Sequence, residues 1–518
     1  MNLSAAERAA GSKSASAQDA LRDDGATEIA LSLISHTNVG KTALARTLLG
    51  RDVGEVRDET HVTATAERYE MIRSSAGDVL SLWDTPGFGD SARLARRLAN
   101  LDKPIAAFLA MIWDRWRERA LWFSQQAVRN MRDEADSILY LVNASESPSD
   151  TGYLTPELQI LEWIGKPVIV LLNQTGSPRG RAEEACDITR WRTAIGARAF
   201  VHDVLSLDAF ARCWVQEGAL LDAVARALPA TKKPAFARLA AAWGADRLQR
   251  FDAAMAAIAE PIARASCDRV AIPDAGLRGS LIDVGKAIGL GGERIDAAKA
   301  TAMRTLSERL DADIRASTDR LIAVHGLDGR ASAEVMARLV DNVTTDAPVN
   351  EGKAAVIGGF VSGALTGLAA DVASGGLTFG AGMLAGGLVG AIGAAGLARG
   401  FNLVRGKTES TIRWNDDFLA ALAPAAVLRY LAVAHYGRGR GAWELSEYPP
   451  FWRDVVRSVI DRQGGVASLL AERRAEPCDA QSLAVAWQRK LGEIALAVLQ
   501  ALYPDALPPQ QRSTENAA

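Results

Sequence analysis

An apolar run at residues 29–34 stops at Ser35-His36-Thr37-Asn38-Val39-Gly40-Lys41-Thr42, and helical spacing of apolar residues begins at once. No other feature constrains the fold as much. A buried strand feeding straight into a helix turns the backbone N–H groups of the joining loop towards the helix N-terminus, where anions bind. In such a loop the backbone of His36, Thr37, Asn38, Val39 and Gly40 cradles phosphates, Lys41 reaches the β- and γ-phosphates, and the Thr42 hydroxyl is a ligand for Mg²⁺. The sequence departs from G-x-x-x-x-G-K-[ST] at its first position, Ser35, which narrows the backbone conformations open to the loop.

Two further elements lie at the ends of apolar runs. Asp84-Thr85-Pro86-Gly87 closes the run at 79–83, so Asp84 can hold Mg²⁺ through water and the Gly87 N–H can sense a γ-phosphate. Asn173-Gln174-Thr175-Gly176 follows the run at 168–172. Ras-like enzymes carry Asn-Lys-x-Asp there, with the aspartate on guanine N1 and N2. Asn173 matches, Gln174 is a substitute, and Gly176 has no carboxylate, so an aspartate restored at 176 is expected to sharpen base choice. Between the first two motifs, residues 55–65 are polar and threonine-rich. Thr63 has the spacing of a threonine that closes on Mg²⁺ when γ-phosphate is present, and Thr60 is the alternative.

These motifs, in this order, resemble the translation-factor-related GTPases, nearest the Era/TrmE-like branch. The whole chain resembles more narrowly the bacterial GTPases that carry a domain of unknown function numbered 3482. Asn173–Gly176, the run Asp208-Ala209-Phe210-Ala211-Arg212-Cys213-Trp214 and the glycine-rich stretch at 356–400 carry that likeness. The resemblance implies GTP and Mg²⁺ as ligands, with Thr42, Thr63 and Asp84 on the metal and Lys41 and Thr63 serving hydrolysis. It also puts Phe88 where Ras-like enzymes place their water-orienting glutamine. A phenyl ring cannot position water, so intrinsic turnover should be slow. An activating protein, a homodimer or a switch-loop group such as His61 would supply what is missing.

Six short runs (29–34, 66–72, 79–83, 138–142, 168–172 and 200–204) alternate with helical spacing at 42–49, 92–101, 154–164, 182–195 and 210–227. That rhythm predicts an α/β domain at 28–228, a mostly parallel sheet with helices on both faces. An additional helix at 105–128 carries Phe108, Trp113, Trp116 and Phe123 at helical steps, which reads as a packing face. After Pro229 the strand pattern stops. Helical domains are expected at 229–350 and 403–507, with Trp414, Trp443, Trp452 and Trp487 as core anchors, and disordered tails are expected at 1–27 and 508–518.

Between these helical domains, residues 351–402 read as a glycine-rich hydrophobic hairpin. Asp371 is the single charge in residues 354–398, and Gly359, Gly363, Gly367 and Gly382, Gly386, Gly390 recur every four residues. Such strips let helices approach closely. Lys353 before the hairpin and Arg399 and Arg405 after it favour insertion from the cytoplasmic side of a membrane. A tightly packed soluble pair is the alternative.

With 59 basic and 62 acidic residues the net charge is −3, which excludes a chain that coats nucleic acid by bulk charge. No basic tail or KH-like module suggests RNA binding, and nucleic acid is not an expected partner. Four scattered cysteines without metal-ligand spacing suggest neither zinc nor a disulfide framework, and a cytoplasmic protein at the inner face of the membrane is expected. The leading expectation is a GTP-binding, slowly hydrolysing switch whose nucleotide state controls a membrane-associating C-terminal region. A nucleotide-binding scaffold with little hydrolysis, or an ATP-using P-loop protein, are the competitors.

Overall fold

The computed structural model describes residues 26–51, 53, 66–99, 119–176, 180–272, 290–327, 401–405, 410–436, 449–473, 477–504 and 506. The N-terminal half is built on β1 (Glu28–Ser35), β2 (Glu67–Arg73), β3 (Val79–Asp84), β4 (Ser137–Asn143), β5 (Val168–Asn173) and β6 (Val201–Ser206). Their order across the sheet is β2-β3-β1-β4-β5-β6. All neighbours run parallel except β2, which is antiparallel to β3.

The central strands are apolar nearly throughout because both faces are covered. Ile29, Leu31 and Leu33 of β1 face one layer, formed by α1 (Lys41–Leu49) and α6 (Trp214–Ala227). Ile34, with Tyr140 and Val142 of β4, faces the other. That second layer holds α2 (Ser91–Ala99), α3 (Arg119–Asp133), α4 (Leu154–Ile164) and α5 (Arg181–Ile195). The chain leaves β1 towards β3 on one side and returns to β4 on the other. The strand order therefore reverses at the C-terminal end of β1, the place where open α/β sheets bind ligands.

The six expected strands and the helices between them are all present. The additional helix is described from Arg119 onward as α3, where Phe123 is buried, while Phe108, Trp113 and Trp116 lie outside the described residues.

The C-terminal half is mainly helical, with α7 (Lys233–Cys267), α8 (Leu290–Val324), α9 (Asp416–Ala434), α10 (Pro450–Arg462), α11 (Ala467–Glu472) and α12 (Ala480–Leu502). Strands do not stop at Pro229. β7 (Arg269–Ile272), β8 (Phe401–Arg405) and β9 (Ser410–Trp414) form an antiparallel sheet in the order β7-β9-β8. Strands of four and five residues are too short to show a period of two against helical neighbours.

Trp414, Trp452 and Trp487 are buried anchors, and Trp414 stacks on Phe418 with ring centres 4.1 Å apart. Trp443 and the glycine-rich segment at 354–398 lie outside the described residues. Among the described residues α9 is the one helix long and apolar enough to cross a membrane, with a mean hydropathy of 1.6; its apolar window is 61% buried in the protein.

One apolar core runs through both halves. Leu44 and Leu48 of α1 and Leu221 of α6 belong to the same cluster as Phe236 of α7, Leu431 of α9 and Leu491 of α12. The Trp214 indole N–H donates to the Tyr430 hydroxyl across the junction at 3.1 Å. Cys267, the last residue of α7, is disulfide-bonded to Cys478 just before α12, with Cα atoms 5.5 Å apart. This corrects the expectation that the scattered cysteines form no disulfide; Cys186 and Cys213 are free thiols. Residues 211 apart in sequence reveal their pairing only once α7 and α12 lie side by side.

Asp78, in the turn between β2 and β3, is a second tie. Its carboxylate accepts from Nε and Nη2 of Arg238 in α7 (2.7 and 2.8 Å), from the Thr27 N–H and from the Ser74 hydroxyl. The Arg238 hydrogen bonds, then those from Ser74 and Thr27, hold its pKa well below the usual carboxylate range. The folded state therefore gains from Asp78 above the unfolded value near 4 and loses that gain as pH falls below it. Asp78→Asn should lower the thermal midpoint at pH 7. The gap to the unmodified protein should narrow as the pH drops below about 4, as scanning calorimetry at a series of pH values would show.

Candidate nucleotide site

The loop expected to bind phosphate joins β1 to α1. Asn38 (φ 66°) and Gly40 (φ 89°) both take left-handed backbone there, and the Leu44 N–H already closes the first helical turn on the Gly40 carbonyl at 3.0 Å. A Cβ at Gly40 would lie 2.8 Å from the Asn173 side-chain nitrogen, so glycine is required for space as well as conformation. Val39 is buried in the core and anchors the loop, whereas Thr37 and Asn38 keep solvent-accessible side chains. Ser35 does more than replace a glycine. Its hydroxyl donates to the His36 carbonyl and accepts from Lys41 Nζ at 3.3 Å, bracing the loop from inside.

Lys41 is 9% exposed, and Asp84 is buried beside it at the end of β3. Burial holds the lysine below its ordinary pKa, with Asp84 and Glu157 acting against the shift. Burial also raises Asp84, opposed by Lys41 and Thr42. The Thr42 hydroxyl donates to one Asp84 oxygen at 2.6 Å, and the other oxygen is buried without a partner. A hydroxyl and a carboxylate in contact, with the second carboxylate oxygen unpartnered, make a hard-oxygen donor set that fits Mg²⁺. Gly87 sits over the same point. A Cβ there would meet Lys41 Nζ at 2.9 Å and the Ser35 carbonyl at 3.3 Å.

Phe88 points away from this cluster. Its N–H donates to the Ser35 carbonyl at 2.9 Å while its ring is fully buried among Ile34, Leu94 and Leu98. The Phe88 side chain is therefore committed to the core.

The third motif closes the other side of the loop. The Asn173 amide donates to the Val39 carbonyl at 2.6 Å and accepts from the Ala209 N–H at 2.8 Å, so it joins the phosphate loop to the β6–α6 loop. The Gln174 amide donates to the Asn38 carbonyl at 3.4 Å. Beyond it the backbone is reshaped. Gln174 has φ 56° and Gly176 φ 82°, and Thr175 is held by both its N–H (2.6 Å) and its hydroxyl (2.9 Å) on the Asp208 carboxylate.

Asp208 was not singled out as a site residue. Its other oxygen accepts from the Phe210 N–H at 2.7 Å, so the carboxylate serves to fix two loops. The left-handed φ at Gly176 also revises the substitution expected to sharpen base choice, since an aspartate there would be strained.

Thr63, with Thr60 and His61, lies outside the described residues. A further group was missed by sequence reasoning. His36 Nδ1 lies 2.8 Å from Glu157 Oε1, and its ring stacks on Tyr153 with centres 4.3 Å apart. Glu157 is a single acidic residue in the first turn of α4, a position that usually reads as solvated; here it is fully buried.

The sheet order, the phosphate loop at the reversal point and the buried lysine–aspartate pair define a P-loop GTPase domain. Residues 31–174 match the 50S ribosome-binding GTPase family, and residues 192–454 match DUF3482, a domain of unknown function. The chain belongs to the DUF3482 family, and in it a P-loop GTPase domain precedes the DUF3482 region. No protein of curated function matches the sequence.

Among solved structures the chain is similar to Era in complex with MgGDPNP and a 16S ribosomal RNA fragment, at 16% identity and a TM-score of 0.29 over 40% of this chain and 58% of that one. It is similar to an Aquifex aeolicus Era variant bound to GDP·AlF4⁻ at 17% identity and TM-score 0.29, over 39% and 57%. An SsGBP mutation variant matches at 18% identity and TM-score 0.21, over 35% and 50%. The chain thus spans under three fifths of the Era chains it matches.

Lys41→Ala removes the cation expected to reach the phosphates. Triphosphate affinity should fall at least about tenfold, or about 1.4 kcal/mol, in a fluorescent-nucleotide titration. Unchanged affinity would contradict the assignment of the site.

Proposed function

We propose that this protein is a GTP-hydrolysing switch with slow intrinsic turnover, whose nucleotide state controls the helical C-terminal half and its association with membrane. The observation that carries this reading is the contact of Thr42 with Asp84 beside the buried Lys41, with one Asp84 oxygen left unpartnered and Gly87 pressed against the lysine. Lys41 would bind the β- and γ-phosphates, Gly87 would donate its N–H to the γ-phosphate, and Thr42 and Asp84 would hold Mg²⁺, with Thr63 closing on it. When bound, Mg²⁺ neutralises charge on the β- and γ-oxygens. Slow turnover follows from Phe88, because the protein must rely on main-chain groups or a partner to orient water. An activating protein or a second copy of the chain is the expected source.

Control of the C-terminal half is supported by direct contact. Next to the loop that Asn173 and Asp208 fix, the Arg212 N–H donates to the His435 carbonyl at 3.2 Å, and Ala211 pairs with Tyr436. A cleft of about 190 Å³ opens at the junction, with Thr175, Gly176 and Asp208 on one wall and His435, Trp452 and Tyr503 on the other. Burial pulls His435 down to about 4, so this wall is uncharged at neutral pH. Residues 354–398 remain the proposed lipid-binding element, in a protein held at the inner face of the cytoplasmic membrane. Nucleic acid is not proposed as a partner.

A scaffold that binds nucleotide with little hydrolysis is the second reading, favoured by the inward ring of Phe88. A turnover assay with γ-labelled GTP separates the two. Liposome co-sedimentation with and without GTP tests the coupling: nucleotide-dependent pelleting supports it, and a protein that never pellets ends the membrane part of the proposal.

Base choice gives a quantitative check. With Gly176 lacking a carboxylate and Asp208 occupied by Thr175 and Phe210, preference for GTP over ATP should stay below about 10⁴, or about 5.5 kcal/mol. Competition binding measures it, and a larger ratio would mean that another group reads guanine.

A further inference from the structure

Glu157 collects donors from three separate elements. Its fully buried carboxylate meets His36 of the phosphate loop at 2.8 Å, the Tyr140 hydroxyl of β4 at 2.8 Å, and the hydroxyl of Ser91, the first residue of α2. Two of these elements flank the γ-phosphate position. His36 follows Ser35 in the loop, and its backbone pairs with that of Phe88. Ser91 ends the short segment that begins at Gly87, whose Cβ position is in contact with Lys41 Nζ. Glu157 is also close enough to act on Lys41 electrostatically.

A carboxylate inside a protein is tolerated only where donors satisfy it, so this one fixes the relative position of whatever supplies them. The segment from Gly87 to Ser91 is held by the Phe88 N–H on the Ser35 carbonyl at 2.9 Å, by the Gly89 N–H on the Ser124 hydroxyl at 3.0 Å and, at its far end, by Ser91 on Glu157. Because the Phe88 ring lies in the core and Asp90 is turned to the helix start, accepting from the Arg93 N–H at 3.0 Å, the groups of this segment set against Lys41 are the main-chain ones at Gly87. Main-chain groups cannot swing into place as a glutamine side chain can. Their catalytic value depends on where the segment is held.

We propose that Glu157 is a positioning residue for hydrolysis: through His36 and Ser91 it sets the distance between the phosphate loop and the segment that senses the γ-phosphate. GDP binding uses the loop backbone and Lys41 and does not need that distance. Hydrolysis does, since misplacement of even about 1 Å at a reacting centre can cost about a hundredfold. The inference rests on the reading of the site as a GTPase.

The test uses the full chain with Mg²⁺. Fluorescent GDP and a non-hydrolysable GTP analogue measure affinity, single-turnover GTP cleavage measures the chemical step, and thermal unfolding checks the fold. Glu157→Gln, which keeps the shape but cannot accept from three donors, should slow cleavage about tenfold or more while GDP affinity stays within about threefold. Ser91→Ala cuts the tie at its far end without disturbing the buried carboxylate, and should do the same. It decides the matter if Glu157→Gln does not fold.

Equal losses in GDP affinity and cleavage would reduce Glu157 to a structural role and overturn the proposal. So would normal cleavage in both variants while the unmodified protein hydrolyses GTP. If the unmodified protein binds no nucleotide, the reading of the site fails first, and the proposal fails with it.

Discussion

Lys41 is an ammonium group buried at the end of a parallel strand, and a buried cation is stable only where negative charge or strong acceptors face it. Asp84 provides one charge, Glu157 acts from further off, and the Ser35 hydroxyl accepts a hydrogen bond. Each of these groups is placed by something else. Asp84 is fixed by the register of β3 against β1, Glu157 by its three donors, and Ser35 by the end of β1. The sheet can therefore be understood as the frame that gathers around one buried lysine the charges and acceptors that oppose its desolvation. The compensation that these protein groups supply is partial, since burial still holds the lysine below its ordinary pKa.

The parts of the site legible in the sequence were those where chemistry fixes residue type and order together. Gly40, Lys41, Thr42, Asp84 and Gly87 fall into this group, since each demand is local: a left-handed turn, a charge, a hydroxyl, a strand-end carboxylate, a close approach. Asn173 was legible as a motif residue, but its work as a clamp between Val39 and Ala209 depends on strands β5 and β6 lying side by side. Asp208 and Glu157 were not legible. An acidic residue on a loop or in a first helical turn is ordinary in sequence, and only the packed structure shows that each is buried among donors from distant segments.

The same distinction holds in the fold. Long apolar runs announced the central strands, whereas β7, β8 and β9 were hidden by their brevity. The bond between Cys267 and Cys478 was hidden by sequence distance. Gly176 shows a subtler limit. Its missing carboxylate was visible, but not its left-handed backbone, which means that the whole loop, and not one side chain, differs from the Asn-Lys-x-Asp pattern.

The two family matches meet in an unexpected place. One ends at residue 174, directly after β5, and the other begins at residue 192, within α5. The last strand of the GTPase sheet, β6, and the helix α6 that covers it thus lie in the stretch shared with the helical half. A cut at that seam would strip β5 of its outer neighbour, leave a row of unpaired backbone groups along an apolar strand, and remove the Ala209 N–H that Asn173 grips. What sequence comparison divides into an engine and an appendage is, mechanically, one casting, in which the helical half carries the last strand of the sheet and the Ala209 N–H that Asn173 grips.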